Sequence, residues 1–207
     1  MMRTRVKFCG MTQIDDAKQA VQLGVDALGF IFHPSSPRAV SVNQARHIVC
    51  TLPALVQRVG VFVNQSASEI KQIVEQVGLT AIQLHGDQSA TFCQQFQLPV
   101  IKAISMTEQT DIVAALTAYQ DVAQLLLDTA HPLLHGGSGQ AFDWRWIPVS
   151  VRSQVILAGG LTPANVAQAI AQIQPAAVDV SSGIEDRPGV KDPVKMERFM
   201  AQVRVHQ

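Results

Sequence analysis

The chain has 207 residues, enough to bury a core without disulfides or metal. Its sixteen basic residues cancel sixteen acidic ones, which argues against nucleic acid as a partner, since binding to phosphate backbones draws on clustered Lys and Arg. Hydrophobic residues make up 47% and charged ones 15%, which excludes intrinsic disorder, and no apolar run reaches the ~18–20 residues of a membrane span.

The first predicted strand, Val6–Cys9, starts at once and leaves no room for a signal peptide. It carries Lys7 and Cys9, and residues i and i+2 of a strand point to one side, so ammonium and thiol share a face. A nearby cation lowers a thiol pKa from roughly 8.5. By position alone, Cys9 is a base, a nucleophile or a small buried apolar residue. Gly24 stands where a helix C-cap belongs. The second strand, Ala27–Phe32, runs into a loop with His33, Ser35, Ser36 and Arg38, whose guanidinium suits a carboxylate or simply faces solvent. Ser41–Gln44 has the spacing of a capping box, as has Ser66–Glu69, which follows the third strand, Val59–Val63. Ile70, Ile73, Val74 and Val77 share one helical face that Gly78 ends. Gln83 and His85 close the fourth strand, Ala81–Leu84; His85 suits a base, a metal ligand, an orienting donor or a structural histidine. The fifth strand is Val100–Ile104, and Asp128 ends the sixth, Leu125–Asp128. Desolvation there would raise the Asp128 pKa and let it donate a proton, whereas capping a loop amide is the plainer role. The loop 129–142 carries His131, His135 and Gly136–Gly139, and its length and glycines suit a mobile cover with both histidines on its surface. After the seventh strand, Val155–Ala158, come Gly159-Gly160-Leu161 and the cap and first-turn pair Thr162-Pro163. The eighth strand, Ala177–Val180, delivers Asp179, Ser181, Ser182 and Gly183.

Eight apolar runs at a mean spacing of about 24 residues fit eight strand–helix units. The expected fold class is therefore α/β, a compact single-domain (β/α)8 TIM barrel over residues 1–207, with a doubly wound open sheet as competitor. In such a barrel the C-terminal strand ends carry function, and phosphate binds after strands 7 and 8. Glycine-exposed amides and helix N-termini at Gly159, Gly160, Ser181, Ser182 and Gly183 make these the expected phosphate ligands. Lys7, Arg38, Gln83, His85 and Asp179 are expected around the substrate. Cys50 and Cys93 lie in helical segments and read as buried and inert. Three thiols without a CxxC pair suit a reduced, cytoplasmic protein, and no heptad advertises a partner, so a monomer is expected.

Read together, Lys7-Phe8-Cys9-Gly10-Met11-Thr12, Ser35-Ser36-Pro37-Arg38, Gly60-Val61-Phe62-Val63-Asn64, Gln83-Leu84-His85-Gly86, Leu127-Asp128-Thr129, Leu157-Ala158-Gly159-Gly160-Leu161 and Asp179-Val180-Ser181-Ser182-Gly183-Ile184-Glu185 form an ordered set. This set closely resembles the phosphoribosylanthranilate isomerases of tryptophan biosynthesis, from about residue 5 to about residue 203. The resemblance implies an Amadori rearrangement with Asp128 as general acid, Cys9 as general base, Arg38 on the anthranilate carboxylate and the last two loops on the phosphate. It implies no metal and no organic cofactor. Two other readings stay open: a metal-dependent sugar-phosphate epimerase with His85 and Asp179 among its ligands, and a phosphosugar-binding barrel without catalysis.

Overall fold

Runs of β-branched and apolar residues become strands because helices cover them from outside, and each run ends where polar residues or glycine begin. The computed structural model describes residues 3–130 and 141–205. Its parallel strands are β1 (Arg5–Phe8), β2 (Ala27–Ile31), β3 (Gln57–Phe62), β4 (Ala81–Leu84), β5 (Val100–Met106), β6 (Gln124–Thr129), β7 (Ile156–Leu157) and β8 (Ala177–Val180). They pair in chain order, and β1 closes on β8 through Arg5↔Ala177, Val6↔Val178, Lys7↔Asp179 and Phe8↔Val180. That closure excludes the open doubly wound sheet.

The two faces of each strand differ in side-chain size. Phe8, Leu28, Phe30, Phe62, Leu84, Leu125, Leu127 and Val178 point outward into the core shared with the helices. Fully burying each such side chain is worth about 1.5–3 kcal/mol. The inner face carries smaller residues, with Ala103, Leu126, Ile156, Ala158 and Ala177 packed together. Alternation therefore brings every second residue of a strand into the barrel, and at the C-terminal mouth these include Cys9, Gln83, Asp128 and Asp179 beside the apolar Ile31, Val61 and Ala158.

The helices are α1 (Ile14–Gln22), α2 (Val42–Val49), α3 (Ala67–Val77), α4 (Ala90–Cys93), α5 (Ile112–Tyr119), α6 (Val166–Ile173) and α7 (Pro193–Arg204). The Ser66 box before α3 is complete, and Gly78 ends that helix at φ +77°. Only half of the Ser41 box forms: Ser41 accepts from the Gln44 amide, while the Gln44 side chain donates to the Thr12 carbonyl instead. Thr162 does not cap α6; it closes a preceding turn, and the helix starts after Asn165. Cys93 is buried as expected, but Cys50 is exposed at the end of α2.

Three units depart from the regular pattern. The fourth has only the four-residue α4, and after β6 the described chain has 3-10 turns at Trp144–Trp146 and Val149–Gln154 in place of an α-helix. After β8 come a 3-10 turn, Ser182–Ile184, and a hairpin of β9 (Glu185–Arg187) with β10 (Val190–Lys191), and only then α7. Among the described residues, no helix is long and apolar enough to cross a membrane.

Candidate active site

Period-two alternation puts Lys7 with Cys9, Gln83 with His85, and Asp179 with Ser181 on the inner wall near one mouth. A cavity of about 180 Å³ opens there, lined by Cys9, Arg38, Gln83, His85, Asp128, Gly159, Gly160, Asp179, Ser181 and Ser182. Of the residues expected at the site, Lys7 and Gly183 are outside this lining: Lys7 reaches it through its contact with Asp179 and also lines the recess at the other mouth, and Gly183 packs on Leu161. A wider recess of about 1290 Å³ opens at the opposite, N-terminal mouth, lined by Arg5, Gln57, Ala81, Gln124 and Ile156 among others, and neither Cys9 nor Asp128 reaches it. His131, His135 and Gly136–Gly139 fall outside the described residues.

Under Cys9 lies a buried ion pair. The Lys7 ammonium donates to both Asp179 oxygens at 3.0 Å. Burial alone would lower the Lys7 pKa, but Asp179 and Cys9 hold it above its ordinary value. Gly29, on the neighbouring strand, is required by this packing: a Cβ there would stand 2.7 Å from the Cys9 sulfur and 3.2 Å from the Lys7 nitrogen. The expectation that Lys7 leaves the thiol with a lowered pKa is corrected by its surroundings. Burial pushes the Cys9 thiol above its ordinary 9.0 and Asp179 adds to the rise, against the pull of Lys7 and Lys191.

Asp128 stands three strands away round the barrel. Burial and the neighbouring Asp179 charge raise its carboxyl from 3.8 to about 6, although the Thr129 amide donates to it at 2.8 Å and Lys7 draws it down. The cavity thus holds a carboxyl and a thiol that are both weaker acids than usual, one titrating near neutrality and one well above it.

Arg38 is neither solvated nor idle. Its Nε donates to both Glu185 oxygens at 2.9 and 3.1 Å and its Nη2 to one of them at 2.8 Å, in a buried bidentate pair. Glu185 also accepts from the Lys191 ammonium at 2.8 Å. Sequence reasoning assigned no role to Lys191 or Glu185; the only signal was the place of Glu185 in the strand 8 motif.

The strand 7 and strand 8 loops meet at the same mouth. Gly183 lies so close to the Leu161 carbonyl that a Cβ would overlap it. Asn165, also missed, ties the first loop together: its Nδ2 donates to the Gly160 carbonyl at 3.0 Å and its Oδ1 accepts from the Thr162 amide at 2.8 Å. The buried Gln83 Oε1 and Ser181 Oγ have no hydrogen-bond partner within the described protein, and both residues line the cavity. Such atoms suit a polar ligand. No group of three His, Cys, Asp or Glu among the described residues could hold a metal, and Asp179 is engaged by Lys7, so the ligand set of the epimerase reading is lacking.

A family model described as N-(5'-phosphoribosyl)anthranilate (PRA) isomerase matches residues 6–202. The chain is 50% identical to the N-(5'-phosphoribosyl)anthranilate isomerase of Nitrosococcus oceani over 202 residues, 98% of each chain. It is similar in structure to phosphoribosyl anthranilate isomerase from Thermotoga maritima, with a TM-score of 0.89 and 40% identity over 98% of this chain and 99% of that one. A phosphoribosyl anthranilate isomerase in complex with reduced 1-(o-carboxyphenylamino)-1-deoxyribulose 5-phosphate superimposes with a TM-score of 0.86 at 39% identity, covering 98% and 99% of the two chains.

Proposed function

The chain belongs to the N-(5'-phosphoribosyl)anthranilate isomerase family, and on that premise we propose how its residues divide the reaction. It is an isomerase of tryptophan biosynthesis that converts N-(5-phosphoribosyl)anthranilate to 1-(2-carboxyphenylamino)-1-deoxyribulose 5-phosphate. Neither the epimerase nor a barrel without catalysis has support.

Asp128 donates its proton to the ribose ring oxygen as the C1–O bond breaks, and the anthranilate nitrogen lone pair forms the C1=N bond of a Schiff base. Cys9 then removes the C2 proton, and the electron pair moves through C1 to the nitrogen, giving an enolamine that tautomerises to the ketone. The substrate's own imine is the electron sink, so no metal or organic cofactor is needed. Arg38 holds the anthranilate carboxylate through the guanidinium edge that Glu185 does not occupy. Gly159, Gly160, Ser181, Ser182 and Gly183 hold the phosphate through backbone amides and hydroxyls. Lys7 and Asp179 support Cys9 from below, while Gln83 and His85 contact the ribose.

The observation that carries this division is the carboxyl at about 6 in a cavity shared with a buried thiol. An acid and a base with separated pKa values are what two opposed proton transfers on one sugar require. The test is loss of substrate fluorescence with purified protein: turnover by wild type with none by Cys9→Ser/Asp128→Asn supports the assignment, and undiminished turnover by the double variant overturns it. We further read residues 1–207 as a single domain acting as a cytoplasmic monomer, so light scattering should return 22.4 kDa. A mass of twice that value would contradict the monomer.

A further inference from the structure

The strand 8 loop and Arg38 are held by one side chain that belongs to neither. Lys191, on β10, is fully buried, and its ammonium donates to the Ser181 carbonyl at 3.2 Å and to Glu185 Oε1 at 2.8 Å. Its main chain is fixed independently, since the Lys191 amide donates to Asp16 Oδ2 on α1 at 2.9 Å. The ammonium therefore approaches from a fixed platform. In a trans peptide the carbonyl and the following N–H point in opposite directions. A Ser181 carbonyl that accepts from Lys191, and more loosely from the Ile184 amide at 3.4 Å, thus leaves the Ser182 N–H pointing away from the ammonium, and Ser182 itself lines the cavity. Glu185, held by the same ammonium, grips Arg38 along its Nε edge and leaves Nη1 for a ligand.

We propose that Lys191 is a positioning residue that couples the two anionic ends of the substrate site, setting the Ser181–Ser182 peptide for the phosphate and, through Glu185, the Arg38 guanidinium for the carboxylate. The proposal rests on the assignment of those two ends given above. Charge is arranged for it: two buried cations share the Glu185 carboxylate, and the further carboxylate against Lys191, Asp16, is on the α1 side. Removing Lys191 leaves Arg38 and Glu185 as a neutral pair, which the fold can bury.

The variants Lys191→Met and Glu185→Gln separate the two arms. Each is assayed for KM and kcat, and for inhibition by inorganic phosphate and by anthranilate, with its melting temperature as a check on folding. Lys191→Met should weaken both inhibitors and raise KM by about tenfold, the size expected for losing a charge-assisted hydrogen bond, with kcat within about threefold. Glu185→Gln should weaken anthranilate by a similar factor and leave phosphate within about twofold, because Lys191 still holds Ser181. A merely structural lysine would lower kcat and the melting temperature without this split. A folded Lys191→Met protein with unchanged inhibition by either anion would overturn the coupling. If that variant does not fold, unchanged anthranilate inhibition in Glu185→Gln overturns it alone. Wild-type protein that inorganic phosphate does not inhibit would remove the phosphate assignment itself; inhibition of wild type with unaltered variants would remove only the role of Lys191.

Discussion

Asp128 titrates far from where an aspartate ordinarily does, and the displacement fixes the shape of the pH profile. At pH 7 a carboxyl of pKa 3.8 is protonated in roughly six molecules in ten thousand, and one of pKa 6 in roughly one in ten. The environment of Asp128, which moves it from 3.8 to about 6, thus enlarges the acid form about 150-fold, or about 3 kcal/mol. The thiol moves the same way, above 9.0. On the division proposed above, the base is then a weaker acid than the group that donates, and the working pair, carboxylic acid with thiolate, is a minor protonation state at every pH. For such a pair kcat rises with pH up to the carboxyl pKa, runs level, and falls beyond the thiol pKa. The rising limb near pH 6 accordingly belongs to Asp128, and the falling limb lies above pH 9. The assay is kcat by fluorescence across pH 5–10 for wild type and Asp128→Asn. The substrate phosphate, which also titrates near pH 6, is common to both proteins and cancels in the comparison. Asp128→Asn should lose the share of the break near pH 6 that exceeds the phosphate's own, and otherwise rise with thiolate ionisation. A break that survives unchanged in Asp128→Asn would refute the assignment of that limb.

The same carboxyl costs stability. Its folded pKa lies above the unfolded one, so the folded state binds more protons between about pH 4 and 6, and stability falls across that window by about 3 kcal/mol and then levels. Asp128→Asn should therefore melt roughly 6–12 °C above wild type at pH 8 and level with it at pH 3, by calorimetry. Cys9→Ser should lower kcat by at least ~10²-fold with KM little changed, since a hydroxyl barely ionises where the thiol does; a variant retaining a tenth of wild-type kcat would take Cys9 out of the reaction. Gly183→Ala drives a methyl into the Leu161 carbonyl and should raise KM about tenfold by parting the two loops, with kcat less affected; an unchanged KM would place the phosphate elsewhere. Exhaustive treatment with EDTA should leave turnover intact, and activity lost and then restored by Zn²⁺ or Mn²⁺ would reopen metal chemistry.

Local pattern carried much of this architecture. All eight strands lie where Val, Ile, Leu and Ala runs stand, because covered parallel strands need little else, and the inward pairing of Lys7 with Cys9 follows from alternation. The 3-10 turns after β6 and the hairpin after β8 were not legible, since packing against the barrel decides what a connecting segment becomes. Lys191 gave no sign of its burial: beside Gly189 and Asp192 it reads as a solvated loop charge, and its partners come from the barrel and α1. Arg38 and Glu185 are 147 positions apart. The Cys9 pKa shows the limit most clearly. The cation that lowers it is two residues away and visible in the sequence, while the burial that outweighs it exists only once the barrel closes.

That closure has a consequence in time. The ion pair beneath the thiol joins the first strand to the last, across 172 positions. A ribosome adding about 5–20 residues per second takes roughly 10–35 s to travel that far. Through that interval the Cys9 thiol and its lysine are out, with no Asp179 to hold the ammonium and no β8 to seal the seam. The second charge that tunes Asp128 also arrives with the last strand. On the proposed division the chemistry is therefore switched on by roughly the final seventh of the sequence, and a nascent chain stalled before Ala177 carries the Cys9 thiol without the ion pair that lies beneath it.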